Sequence, residues 1–139
     1  MYTVEEYNLP MILSAPTMGD DEFDAYCERY PDCRLESTAE GVLIIMPPTG
    51  AETGDRNSEI TTQLNTWSRG KGGLAPDSSA GLKLPNGSRR SPGASWISHE
   101  RRRSGRRPEF IIELVSPSDR LRVVREKIYE CIDSGVELG

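Results

Sequence analysis

The sequence predicts an α+β fold: a mixed sheet flanked by helices. Three observations predict it. Apolar residues recur at helical spacing over 52–69 and again after Ser116. Short apolar runs bounded by Gly, Pro, Ser and Asp read as strands. The order is helix, strands, helix, several strands, long helix, with no regular strand–helix alternation.

Taken in order, residues 1–16 read as an extended arm, because Pro10 and Pro16 discourage helix. A short helix is expected over 17–30. Asp20, Asp21 and Glu22 sit near its positive N-terminal end, and Pro31 stops it. Two strands follow, 34–37 and 42–46, across the turn Ala39-Glu40-Gly41. The second main helix, 52–69, carries Ile60, Leu64 and Trp67 as its buried stripe, and Gly70 ends it. Strands are expected at 74–78 and 82–84, then the turn Pro85-Asn86-Gly87, then a strand over 93–98 holding Trp96. Residues 99–107 read as a basic loop.

The stretch 108–135 is the most informative. Phe110 to Val115 is nearly all apolar, as in a strand buried on both faces, yet it contains Glu113. A carboxylate there is costly unless compensated. It pairs with an arginine, lies at the sheet rim, or belongs to a site. Ser116 caps a predicted helix with Pro117 at its first position and Asp119 near the place of a capping box. Leu121, Val124, Ile128 and Ile132 form its apolar stripe, and Gly135 stops it. Lys127 falls at the edge of that stripe, where it either snorkels to solvent or bends toward Glu113. Val136 to Gly139 looks like the opening of a further strand.

The 139 residues suffice for one domain with a modest core, and no linker divides them, so 1–139 is expected to be a single domain. No apolar run is long enough to span a bilayer, and residues 1–16 lack the pattern of a signal peptide. The expectation is a cytoplasmic protein with no membrane partner. Three cysteines without a CxxC pair and one histidine, His99, argue against a zinc site, a disulfide scaffold and His-dependent nucleophilic catalysis.

The net charge of −5 is unevenly spread. Residues 1–60 hold thirteen acids and three arginines. Residues 89–107 hold seven arginines and one glutamate. Arg89, Arg90, Arg101, Arg102, Arg103, Arg106 and Arg107 are therefore candidates for nucleic-acid phosphates, against a reading as a solvated loop.

Five blocks in order, GVLIIMPPTGAETGDRNSEI, DSSAGLKLPNG, RRSPGASWIS, PEFIIELVSPSD and KIYECIDSGVELG, resemble the Uma2 family (DUF820). That family is similar to the PD-(D/E)xK, restriction-endonuclease-like superfamily. The resemblance implies an αβββαβ-type core and Mg²⁺- or Mn²⁺-dependent cutting of DNA. It implies Glu113 as a metal ligand and Lys127 as the catalytic lysine, with Cys131 where the family has a tyrosine. It places the first-helix polar position within 57–59 and makes Glu59 a candidate ligand. The family's metal-binding aspartate in its SPDAS block corresponds to Gly93 of Ser91-Pro92-Gly93-Ala94-Ser95, so one ligand position is lost. The strands that follow the GV-x-x-G block in the family are missing, so the expectation is truncated C-terminal strands and an open edge for a homodimer.

The sequence thus points to a DNA endonuclease with a damaged site. The alternatives are an inactive nucleic-acid-binding or interaction module, or a degraded fragment.

Overall fold

The computed structural model describes residues 11–14 and 18–139. The rest of the expected arm, and the expected helix start at Thr17, lie outside the described residues. The architecture is mixed α and β. The chain forms two compact units, each described by itself.

The first unit comprises the described residues up to Thr49, together with Lys83–Ser91. Its strands are β1 (Met11–Ser14), β2 (Arg34–Ser37) and β3 (Val42–Met46). The short strands β5 (Leu82–Lys83) and β6 (Arg89–Arg90) complete a sheet of order β1-β3-β2-β6-β5. Strands β2 and β3 form an antiparallel hairpin, with Arg34 opposite Met46 and Ser37 opposite Leu43. Gly41 turns it with φ of +80°, a value that side-chain-bearing residues avoid.

Alternation along β3 sends Leu43 and Ile45 fully inward. They meet Leu35 and one face of α1 (Asp20–Arg29), whose Phe23 and Tyr26 recur at helical spacing, with Tyr30 just beyond. Burial of Leu43 and Ile45 contributes about 1.5–3 kcal/mol each. Glu36 lies between inward neighbours and is itself buried. It accepts a 3.0 Å hydrogen bond from the Ser91 amide and faces Arg90 at 3.4 Å.

The second unit comprises Gly50–Leu82 and Pro92–Gly139. It holds α2 (Ala51–Ser68), β4 (Gly73–Leu74), β7 (Ala94–Ser98), α3 (His99–Arg103), β8 (Phe110–Ile112) and α4 (Leu121–Asp133). Strand β7 is central, antiparallel to both β4 and β8. Val136–Leu138 runs beside β8, with Leu138 in a parallel bridge to Phe110.

Four expectations need correction. The strand expected over 74–78 stops at Leu74, because Pro76 has no N–H to continue the ladder; only Asp77 bridges β7 again. Residues 99–103 are helical rather than loop, because the Ser98 hydroxyl accepts from the Arg101 amide and caps them. Strand β8 ends at Ile112, before Glu113. The last helix begins at Leu121, not after Ser116. Asp119 does reach back to the Ser116 amide at 2.7 Å, but the two close an isolated turn.

Arg101 ties the second unit together. It is 5% exposed and donates to the carbonyls of Arg107, Pro108 and Gly135 at 2.9–3.3 Å. Glu109, at 3.4 Å, and Glu137 balance its charge. Burial pushes the Glu109 carboxyl up, but hydrogen bonds from Ser98 and the Arg101 guanidinium hold it below the ordinary glutamate range.

A lowered folded-state pKa stabilises above the unfolded value and is lost as pH falls through the folded one. Thermal melts should therefore show stability falling on acidification below about pH 4.3. Glu109→Gln should shrink that fall. Arg101→Ala leaves the partly buried Glu109 carboxylate and three backbone carbonyls without their donor and should cost about 3–5 kcal/mol in urea denaturation.

Candidate active site

The register of β7 and β8 builds the site. Ala94 pairs with Ile112, so Gly93 and Glu113 are neighbours just beyond the paired ends. A Cβ on Gly93 would lie 3.1 Å from the Ile112 carbonyl oxygen and 3.7 Å from the Leu114 amide. Gly93 thus packs against the backbone on both sides of Glu113. Its φ lies outside the left-handed region, so closeness rather than dihedral angle sets the demand for glycine here.

Helix α4 supplies the cation. Lys127 Nζ lies 2.7 Å from Glu113 Oε1, and the side chains are only 9% and 8% exposed. The lysine is therefore not at the edge of an apolar stripe. The buried side of α4 holds Lys127 and Cys131, while Leu121 is half exposed. The contact is an ion pair without hydrogen-bond geometry: Oε1 is buried and accepts no well-aligned bond. A buried charge pair of this kind is costly to split.

Helix α2 supplies a neutral group. Asn57 Oδ1 lies 3.2 Å from where a Gly93 Cβ would sit. Glu59, two residues on and about 200° round the helix, is exposed and accepts from Gln63 at 2.9 Å. The structure brings Glu113, Lys127 and Gly93 together, adds Asn57, and leaves Glu59 on the outer side. Asn57 was missed as a ligand candidate because an uncharged amide carries no metal-binding signature. Its only signal was its place within the first-helix polar stretch.

These residues do not fit a Mg²⁺ centre. Such an ion takes near-octahedral oxygen ligands from one or two carboxylates together with waters and substrate phosphates. Among the described residues the carboxylate placed here is Glu113, and it already faces an ammonium. Among the described residues no group of three His, Cys, Asp or Glu is placed to hold a metal.

The arginines divide by environment. In the first unit Arg89 pairs with Asp20, donates to Ser37 at 3.2 Å and stacks over Phe23 at 4.9 Å. Lys83 pairs with the same Asp20, and these two partners hold its carboxyl below the ordinary range. Arg90 is engaged by Glu36. In the second unit Arg101 is buried, Arg107 is half-buried, and Arg102, Arg103 and Arg106 are exposed.

The mixed α+β architecture is that of a nuclease-like fold. It is similar to the crystal structure described as "a putative nuclease belonging to DUF820" from Anabaena variabilis, with a TM-score of 0.61 and 17% identity over 73% of this chain. The chain spans 62% of the length of that protein. Residues 20–139 match the Uma2 family, described as "putative restriction endonuclease", and the chain belongs to that family. No curated protein matches it. No helix among the described residues is long and apolar enough to cross a membrane.

The ion pair makes a direct prediction. Glu113→Leu or Lys127→Met alone leaves one buried charge without its partner and should cost about 3–5 kcal/mol. The double variant should recover most of that loss. Equilibrium denaturation of the four proteins measures the coupling, and additive losses would contradict the pairing.

Proposed function

We propose that this chain is a DNA endonuclease of the Uma2 type whose metal centre is impaired at Gly93. The observation that carries the reading is the buried Glu113–Lys127 pair beside a residue with no side chain. Family membership supplies the reaction class, phosphodiester hydrolysis. A divalent ion in such a centre activates water and neutralises charge on the phosphate. This chain offers that ion one carboxylate. Lys127 holds a fixed positive charge at the end of β8, where a phosphate oxygen can be met, but it also neutralises Glu113.

Gly93→Asp tests the reading. The backbone accepts a side chain, but the new Cβ meets the Ile112 carbonyl and Asn57 Oδ1 closely. The expected cost is roughly 1–3 kcal/mol, the range for overpacking. Pairing the change with Asn57→Ala relieves half of the crowding. The expected outcome is tighter Mn²⁺ binding by calorimetry and Mg²⁺-dependent nicking of plasmid DNA that the parent lacks. Adding Glu113→Ala should abolish both. A parent protein that cuts as fast as the variant would refute impairment at Gly93. A folded, Mn²⁺-binding variant that cuts nothing would refute the nuclease reading.

A second reading, DNA binding without cutting, is favoured by the exposure of Arg102, Arg103 and Arg106. Each phosphate contact adds about 0.9 to the slope of log affinity against log salt on duplex DNA. Changing all three to Gln should lower that slope by up to about 3, equally on unrelated sequences. An unchanged slope would mark them as solvated side chains.

A further inference from the structure

We infer that the end of the second unit away from Glu113 is a stacking platform for an unpaired base of a single-stranded polynucleotide, with Trp67 as its floor. The inference shares the phosphate-contacting arginines of the DNA-binding reading but does not depend on the centre at Glu113.

Trp67 was expected in the buried stripe of α2, yet it is 47% exposed. Its placement is fixed. Its ring meets Trp96 edge-on, with centroids 5.4 Å apart at 74°, and Phe110 at 5.9 Å and 61°. Trp96 is itself held by a 2.8 Å hydrogen bond from Nε1 to the Ser68 hydroxyl. Edge-on packing secures an indole without covering both of its faces. What lies over the Trp67 ring is the exposed Lys71, with its ammonium 5.0 Å from the centroid. A cation on an exposed ring is held weakly and is attached to a flexible stem. A base stacking on the ring displaces it, and the ammonium is then free to meet the adjoining phosphate.

The surroundings suit a polyanion. Gly73 pairs with Ser98, and the Gly72 carbonyl accepts from the His99 amide at 2.8 Å. The turn carrying Arg69 and Lys71 therefore adjoins α3, which carries Arg102 and Arg103. All four of these cations are exposed, against one exposed acid on α3, Glu100. An exposed aromatic ring among exposed cations is the arrangement by which single strands are held without sequence preference. A base inside a duplex has no free face to offer.

The test uses labelled thymidine and uridine oligonucleotides of about 12 nucleotides, with a duplex of equal length, followed by anisotropy. Trp67→Leu fills the same edge of the core but has no π-face. It should weaken both single strands about tenfold and leave duplex affinity unchanged. Trp67→Phe should keep most of the affinity. Because stacking does not read the 2′-hydroxyl, both sugars should behave alike. A Trp67→Leu protein that binds single strands as the parent does, or that loses duplex binding equally, overturns the inference. Should that variant fail to fold, the parent answers by itself. Oligonucleotide binding should protect its tryptophan fluorescence from acrylamide, and unchanged quenching at saturation overturns the platform. Failure here with successful repair at Gly93 would leave the nuclease reading standing.

Discussion

The second unit is organised around one buried charge pair. Glu113 stands just past β8, where the chain has left the sheet but not yet reached solvent. A lone carboxylate there would be driven to protonate or to pull the strand end outward. Lys127 removes that pressure from the opposite element, and α4 is docked with a lysine in the middle of its buried face as a result. The geometry of α4 follows from the pair as much as from its apolar residues. Leu121, which the apolar stripe would have buried, is left half exposed while Lys127 and Cys131 go inside.

Much of this was legible in the sequence, and what was not has identifiable causes. The hairpin of β2 and β3 was readable because alternation and glycine punctuation agreed. A charged residue inside the apolar run marked Glu113. The depth of Lys127 was not readable, because helical spacing alone gives a lysine the edge of a stripe, and only a partner across the gap makes its burial tolerable. The short helix α3 was hidden by its composition. Four polar or charged residues and a histidine offer no periodic apolar signal, although Ser98 stood as a cap. Strand β4 was overestimated, since Pro76 interrupts the ladder without altering the apolar pattern around it.

Composition also concealed a division among the arginines. Seven in nineteen positions suggested a single basic stripe. Folding assigns them to different tasks. Arg101 turns its guanidinium to three carbonyls and two carboxylates, which suits its fixed fork. Arg89 and Arg90 answer Asp20 and Glu36. What remains for a polyanion is the outer side of α3 and the turn after it. The useful sequence feature was therefore the position of each arginine relative to Ser98 and to nearby acids, not their number.

The charge arithmetic at the candidate centre ties Gly93 to Lys127. Two carboxylates at 93 and 113 facing one ammonium would leave a net negative site, and such a site draws a divalent ion. With glycine at 93 the balance is one against one. Lys127 is then the counter-ion of Glu113, and low exposure makes that attraction hard to exchange for solvent. The acid and base neutralise one another, so the pair holds the end of β8 to α4. The close approach of Gly93 to the Ile112 carbonyl reinforces this state, because the space a carboxylate stem would need has been filled by backbone and by Asn57. Placing an acid at 93 therefore has to open that space as well as change the charge.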